Sequence, residues 1–467
     1  MLDGTGGVPA AGGTRTDETA QRYRDAVRYL YALTPAAPAG GAGRPVGTAR
    51  ARRLLRLLGD PQEAAPAVHV AGTAGKGSVC TFVAELLRAH GFTVGSHLSP
   101  HAYSLRERFR IDGRPASREL LVAELDRVRP AVAALERSGH GRPSFFEVTN
   151  AVAFGLFADR VDYSVIETGI GGRHDSTNVI GRRDKLAVLT AIGLDHTEVL
   201  GEDLPGIAAQ KAGIIAHGGR VVSARNGPEI DEVVAGTAAR RRAGLAVVDT
   251  AAAVGAAVTE RHTTVLRTAD GGRLPLGLTG RHQAGNALLA LRAVEELACR
   301  DGWWIDADAV RQGLARAALP GRFERRSYAG RTIVVDCAHN AMKLAAVAET
   351  LAQVDPGRRA TWVLALKPDK RLDEAVRAMA PAAGLVVATE FATEGGDHPP
   401  VRSRPADEVA AAARAAGLRA VVERDPVVAL ARACAATAPE VPLVAGGSFH
   451  LLSALHDVTE PAAASTG

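Results

Sequence analysis

Short apolar runs alternate with longer amphipathic stretches along most of the chain, a pattern that predicts β-α repeats. AVHVA at Ala67–Ala71 reads as a strand, and Ser78–His90 as a helix that Gly91 is placed to stop. YSVIE at Tyr163–Glu167 and LAVLTAI at Leu186–Ile192 are apolar on both faces, as central strands of a parallel sheet are. The alternation restarts after Gly321, with strands expected at Thr332–Asp336, Thr361–Leu366, Leu385–Thr389, Arg419–Glu423 and Pro442–Ala445. Two α/β domains follow, residues 19–318 and 319–467, joined near Leu319–Arg322. Residues 1–18, rich in Gly, Ala and Thr, are expected to form a disordered tail, and Pro35–Gly47 a loop. No short-period repeat is present.

Composition narrows the partners. Of 467 residues, 46% are hydrophobic and 23% charged, as in ordinary soluble domains, and the length calls for more than one core. Aromatics make up only 4%, too few for base-stacking platforms. The net charge of +5 is scattered, and its densest run, Arg240–Arg242, reads as a solvated helix face rather than a nucleic-acid groove. The four cysteines form no CxxC pair and no zinc spacing, so free thiols in a reducing compartment are expected. No apolar run reaches membrane-spanning length, and no basic-then-apolar leader opens the chain. The expectation is a cytoplasmic protein, a monomer, with neither nucleic acid nor membrane as partner.

One segment carries chemistry on its own. Gly72-Thr73-Ala74-Gly75-Lys76-Gly77-Ser78 lies between the first strand and its helix. Glycines there let backbone N–H groups approach phosphate oxygens, and the helix N-terminus favours negative charge. Lys76 would reach the β- and γ-phosphates, with the Ser78 hydroxyl near Mg²⁺. The first domain thus reads as a phosphate-loop ATPase-like parallel-sheet domain and the second as Rossmann-like. The strict GxxxxGK[ST] spacing is absent, because position 70 is Val and Gly77 separates Lys76 from Ser78. Taken alone, the segment also describes a glycine-rich turn with a solvated lysine.

GTAGKGS resembles the loop of the Mur ligase superfamily. The ordered matches from about Tyr29 to Leu455 resemble its folylpolyglutamate synthase/dihydrofolate synthase family. They include LSPH (Leu98–His101) with Glu107-Arg108, SFFEVTNAVAF (Ser144–Phe154), VIETGIGGRHDSTNV (Val165–Val179) and IGLDHTEVLGEDLPGIAAQKAGII (Ile192–Ile215). GRHQAGNALLAL (Gly280–Leu291), LPGRFE (Leu319–Glu324), VVDCAHN (Val334–Asn340) and GGSFHLL (Gly446–Leu452) continue them. The resemblance implies ATP-dependent activation of a folate-type carboxylate, dihydropteroate or tetrahydrofolate, as an acyl phosphate, followed by attack of L-glutamate nitrogen. Such chemistry asks side chains to position groups and neutralise phosphate rather than form covalent bonds.

The same resemblance implies roles. Gly72, Thr73, Gly75, Lys76, Gly77 and Ser78 hold the phosphates, with Lys76 catalytic. Ser99, Glu167, His196 and Lys211 serve two Mg²⁺ ions, Lys211 through carbamylation by CO₂. Asn286, Arg322 and Asp336 contact adenine, phosphate and ribose, and His339 acts near the transferred phosphate. Phe146, His174, Asp175 and Ser176 meet the acyl substrate, and Ser448 meets the amino acid. The bland alternatives are a strand-end carboxylate paired with an arginine for Glu167, a capping or core histidine for His196, a surface lysine for Lys211 and a linker arginine for Arg322. Four departures from the family's pattern include the acyl-substrate loop: Ala74 for the family's Asn, His174 at an apolar position, Cys337 and Ala341 in DCAHNA, and Asp369-Lys370-Arg371 for DKD. They keep open a Mur-type ligase acting on a different carboxylate. A non-catalytic nucleotide-binding regulator is disfavoured, since Lys76, Glu167 and His196 are all present.

Overall fold

The computed structural model describes residues 13–34, 48–260, 262–269 and 271–462. The expected loop Pro35–Gly47 and the first twelve residues of the expected tail lie outside them. Residues 13–18 do not belong to a disordered tail, because they begin the helix Gly13–Ala32. That helix is anchored by Tyr23, Ala26, Val27 and Leu30, all buried at helical spacing. Once such a face is docked, extending the helix backward adds one hydrogen bond per residue at little cost.

The first sheet comprises β1 (Ala67–Ala71), β2 (Val94–His97), β3 (Phe109–Ile111), β4 (Arg114–Pro115), β5 (Tyr163–Glu167), β6 (Leu186–Leu189), β7 (Arg220–Ala224) and β8 (Gly244–Val248). Their order is β4-β3-β2-β5-β1-β6-β7-β8. β1 pairs in parallel with both β5 and β6. The chain leaves β1 and returns on either side of it, which opens a crevice at the carboxyl ends of these strands. β1, β5 and β6 are buried along their whole length, as their two-sided apolar pattern requires. Helices Lys76–Ala89 and His282–Asp301 bury one face of the sheet, and helix Phe145–Phe157 helps bury the other.

A meander of β9 (Ala257–Glu260), β10 (Thr263–Arg267) and β11 (Arg273–Leu276) follows. The second large sheet contains β12 (Glu324–Tyr328), β13 (Arg331–Asp336), β14 (Ala360–Leu364), β15 (Ala383–Ala388), β18 (Arg419–Val422), β19 (Leu443–Gly446) and β20 (Glu460–Pro461). Its order is β18-β15-β14-β19-β13-β12-β20, parallel from β18 to β13 and antiparallel beyond. β16 (Ala392–Thr393) and β17 (Val401–Arg402) form a separate hairpin. The loop of this hairpin reaches the first sheet's domain: Tyr31 Oη donates to the Asp397 carbonyl at 2.6 Å, and His398 Nε2 lies 3.1 Å from the Ala102 carbonyl.

Candidate active site

The segment Gly72–Ser78 leaves the carboxyl end of β1 and enters helix Lys76–Ala89 at Lys76. It is pinned to the chain after β6. Thr73 N donates to the Ala191 carbonyl at 2.8 Å, Thr73 Oγ1 to the Gly193 carbonyl at 2.9 Å, and Thr190 Oγ1 to the Ala74 carbonyl at 2.7 Å. Gly75 has φ 85°, a conformation that favours glycine, and a Cβ there would strike the side-chain oxygen of Asn286. Asn286 is steadied by Gln283 Oε1, 2.9 Å from its Nδ2. The expected adenine contact therefore packs directly on the phosphate loop.

Glu167 ends β5 and is buried, with Oε2 accepting the Ser99 N–H at 2.9 Å and Oε1 lying 4.0 Å from Lys76 Nζ. Burial pushes its pKa up, against the opposing pull of Lys76. Lys211, in helix Leu204–Ala212, is only 3% exposed. Its Nζ donates to the Gly72 carbonyl at 2.8 Å. Burial, with Lys76 the next cause, pulls its pKa down to about 7. A sizeable fraction is thus a neutral amine near neutral pH. The surface lysine that its sequence position allowed is not what the fold contains. His196 is half-buried, with Nδ1 3.5 Å from Glu198 Oε1.

The opposite wall comes from the second sheet. Asp336, at the end of β13, accepts N–H groups of Phe323 and Ala338, each at 2.7 Å. It organises its own loop before it meets any ligand. Arg322 packs its guanidinium against Cys337 Sγ and over the Phe449 ring, 5.4 Å from the centroid. His339 Nδ1 is 2.8 Å from the Cys337 carbonyl, an arrangement that puts the proton on Nδ1 and leaves Nε2 as an acceptor. Burial and the neighbouring Lys343 pull its pKa down to about 3. Lys343 Nζ stands 3.7 Å from Asp195 Oδ2, and Asn340 Nδ2 donates to the same oxygen at 3.1 Å. These contacts join the two sheets' walls. Ser448 caps the helix Phe449–Ala454 by accepting the His450 N–H.

At the far end, Tyr31 stacks on Phe145 with ring centroids 4.9 Å apart. Phe146 packs against the turn at Gly169. Asp175 accepts N–H groups of Gly169, Ile170 and Thr177, so its carboxylate holds the glycine-rich loop together. Ser176 Oγ is fixed by Asn150 Nδ2 at 2.7 Å, itself held by His97. His174 is exposed.

All these walls line one cavity of about 1740 Å³, and every residue expected at the site borders it. Sequence reasoning did not assign roles to Arg108, Asp195, Lys343 and Tyr31, which border it too. Arg108 and Asp195 stood inside quoted motifs. Lys343 carried one signal, its position four residues after His339 at the start of a helix. Tyr31 carried none.

Known proteins share this fold. The model of the Mur ligase middle domain matches residues 70–294, and that of the Mur ligase glutamate ligase domain matches residues 321–448. The dihydrofolate synthase/folylpolyglutamate synthase of Mycobacterium tuberculosis is 39% identical over 362 residues, covering 73% of each chain. That of Bacillus subtilis is 36% identical over 330 residues, covering 69% of this chain and 76% of its own. A crystal structure of Mycobacterium tuberculosis folylpolyglutamate synthase complexed with ADP and AMPPCP superposes with TM-score 0.80 at 32% identity, covering 93% of this chain and 98% of that one.

Proposed function

The chain belongs to the folylpolyglutamate synthase/dihydrofolate synthase family of Mur ligases, and on that premise we propose that it joins L-glutamate to dihydropteroate, tetrahydrofolate or both at the expense of ATP. The observation that carries this reading is the single cavity in which a phosphate loop, a buried carboxylate, a hinge arginine and an aromatic wall face one another. In the proposed reaction, the substrate carboxylate oxygen attacks the γ-phosphorus and ADP leaves. The amine nitrogen of glutamate then attacks the acyl carbon, an amide bond forms, and phosphate departs.

In this reading the backbone of Gly72–Ser78 cradles the phosphates while Lys76 and Arg322 neutralise them. Arg322 lies at the junction we assign between residues 19–318 and 319–467, so phosphate contact and domain closure are coupled. Asn286 meets adenine, Asp336 the ribose, Phe146, His174 and Ser176 the acyl substrate, and Ser448 the amino acid. Asp175 acts by holding the acyl loop. His339 has too low a pKa to take up a proton near neutral pH, so its Nε2 orients by accepting hydrogen bonds.

The donor set suits Mg²⁺. Ser99 and Glu167 offer hard oxygen ligands beside the phosphate loop. The described residues hold no cluster of three or more His, Cys, Asp or Glu able to bind a metal alone. Few protein ligands completed by phosphate oxygens and water is what Mg²⁺ accepts. Bound there, the ion would offset phosphate charge. We assign a second ion to His196 and Lys211. The lowered pKa of Lys211 supports carbamylation, because only the neutral amine adds CO₂. Lys211→Ala should lose most activity in either buffer, whereas wild type stripped of CO₂ should slow and recover with bicarbonate. Full wild-type activity without CO₂ would remove carbamylation from the scheme. The four unpaired cysteines support a cytoplasmic setting.

The decisive experiment is ATP- and Mg²⁺-dependent phosphate release across a panel of carboxylates and amino acids. Turnover with dihydropteroate or tetrahydrofolate plus glutamate is expected. Turnover confined to another carboxylate would overturn the folate assignment.

A further inference from the structure

Arg108 is a buried cation that forms no ion pair among the described residues. It is 8% exposed and borders the cavity. Its Nε donates to His101 Nδ1 at 2.8 Å. Among the described residues, no carboxylate lies within ion-pair distance of its guanidinium and no acceptor takes its terminal N–H groups. The carboxylates around it are committed elsewhere. Glu107 accepts the backbone N–H groups of Ala102, Tyr103 and Ser104. Glu147 is clasped by Arg50 and Ser144, and Glu167 accepts from Ser99 and faces Lys76. A guanidinium carries five donors, and with Nε given to His101 the terminal ones are left to the cavity that Arg108 borders, where a ligand's acceptors can complete the set.

Its position says which ligand. The guanidinium carbon lies 5.3 Å from the centroid of Phe145, on the aromatic wall. It is also close enough to Glu167 for each to shift the other's charge equilibrium. Arg108 therefore stands between the wall for a flat ring and the end where the carboxylate is activated. A substrate spanning both must pass it. Dihydropteroate has one carboxylate, which reacts. A folate with a glutamate tail carries another, the α-carboxylate, a few bonds before the reacting one.

We propose that Arg108 is the subsite for the α-carboxylate of the acyl substrate's terminal glutamate, so that this chain is built to extend glutamate-tailed folates. The inference rests on the folate reading above and names the member of that substrate class the site selects.

Two measurements test it. In the first, wild type is titrated calorimetrically, with ADP and Mg²⁺ present, with a glutamate-tailed folate and with its α-carboxamide. The amide is expected to bind about 30- to 100-fold more weakly, the usual cost of breaking a buried charge-assisted pair. Equal binding overturns the proposal without touching the fold or the family reading. In the second, Arg108→Gln is assayed on both acyl substrates. KM for the tailed folate is expected to rise by a similar factor, while KM for dihydropteroate stays within about twofold. Arg108→Lys should recover part of the loss. An equal rise for both substrates overturns the proposal, because the guanidinium would then serve phosphate or the loop. If Arg108→Gln fails to fold, the wild-type titration alone decides. Absence of turnover with any folate or pteroate would instead sink the proposed function, an outcome the binding titration distinguishes.

Discussion

Single buried charges expose the forces at work in this fold, and Lys185 is the clearest outside the cavity. It is 3% exposed, and among the described residues its Nζ donates to Asn178 Oδ1, at 3.2 Å. Burial, then the nearby Arg52, pulls its pKa down to about 8. Below that value the folded protein holds an ammonium in a poor solvent for it. Between about pH 8 and the unfolded value near 10.4, the unfolded chain binds the proton and the folded one does not. Stability from this group therefore rises with pH across that window. Lys185→Met should stabilise the protein by about 2–3 kcal/mol at pH 7 and flatten that pH dependence, the gain being the relieved burial of the ammonium less the lost hydrogen bond. Urea denaturation at pH 7 and pH 10 measures both. An unchanged midpoint at pH 7 would show that the ammonium is already well solvated.

Elements explain how much of this protein was legible before its fold was seen. β1, β5 and β6 were readable because a strand buried on both faces must be apolar at every position. Five of the seven strands of the second sheet, β13, β14, β15, β18 and β19, were found to within two residues from their apolar runs, whereas β12 and β20 were not. The edge pieces β3 and β4 and the meander β9–β11 were not, since short, partly exposed strands such as RP at Arg114–Pro115 carry no periodicity. The phosphate loop was legible from glycines between a strand and a helix, whereas its grip on Thr190 and Asn286 was not, because those residues are distant in sequence. That grip gives a prediction. Gly75→Ala adds a Cβ at φ 85°, into Asn286. A strained backbone of this kind costs about 1–3 kcal/mol. We expect the loss mainly as weaker nucleotide binding, ADP affinity falling at least tenfold, with a smaller drop in Tm. Gly91→Ala, with φ 92° and open space around it, should lower Tm without affecting ADP affinity. Equal ADP affinity in both variants would mean that the loop does not cradle phosphate.

At the scale of the whole molecule, the cavity exists because two sheets present their carboxyl ends to each other, and one of the polar contacts that hold them so is at the cavity itself. Asp195 belongs to the first sheet's domain, and Asn340 and Lys343 to the helix start that follows β13. Asn340 uses its Nδ2 for Asp195 and its Oδ1 for the Lys343 N–H, so one side chain both caps the helix and ties it across the gap. Lys343 completes the tie at 3.7 Å. Burial pulls its pKa down to about 8, opposed by Asp195. Lys343→Met removes the cation and leaves Asp195 with the Asn340 amide alone. Each wall keeps its own core, so Tm should fall by no more than a few degrees. Closure should suffer instead, with kcat/KM reduced about 10- to 100-fold and a larger radius of gyration by small-angle scattering in the presence of ADP. Asp195→Asn alone should behave similarly. In the double variant the second change should cost less than it does in wild type, with a coupling of about 1–2 kcal/mol in kcat/KM. Strict additivity would mean that the two residues act on substrate independently and that closure is set elsewhere, the remaining candidate being the hairpin contact of Asp397 with Tyr31 and His101. The coupling is expected because, among the described residues, Asp195 and Lys343 form an ion pair with no other oppositely charged group.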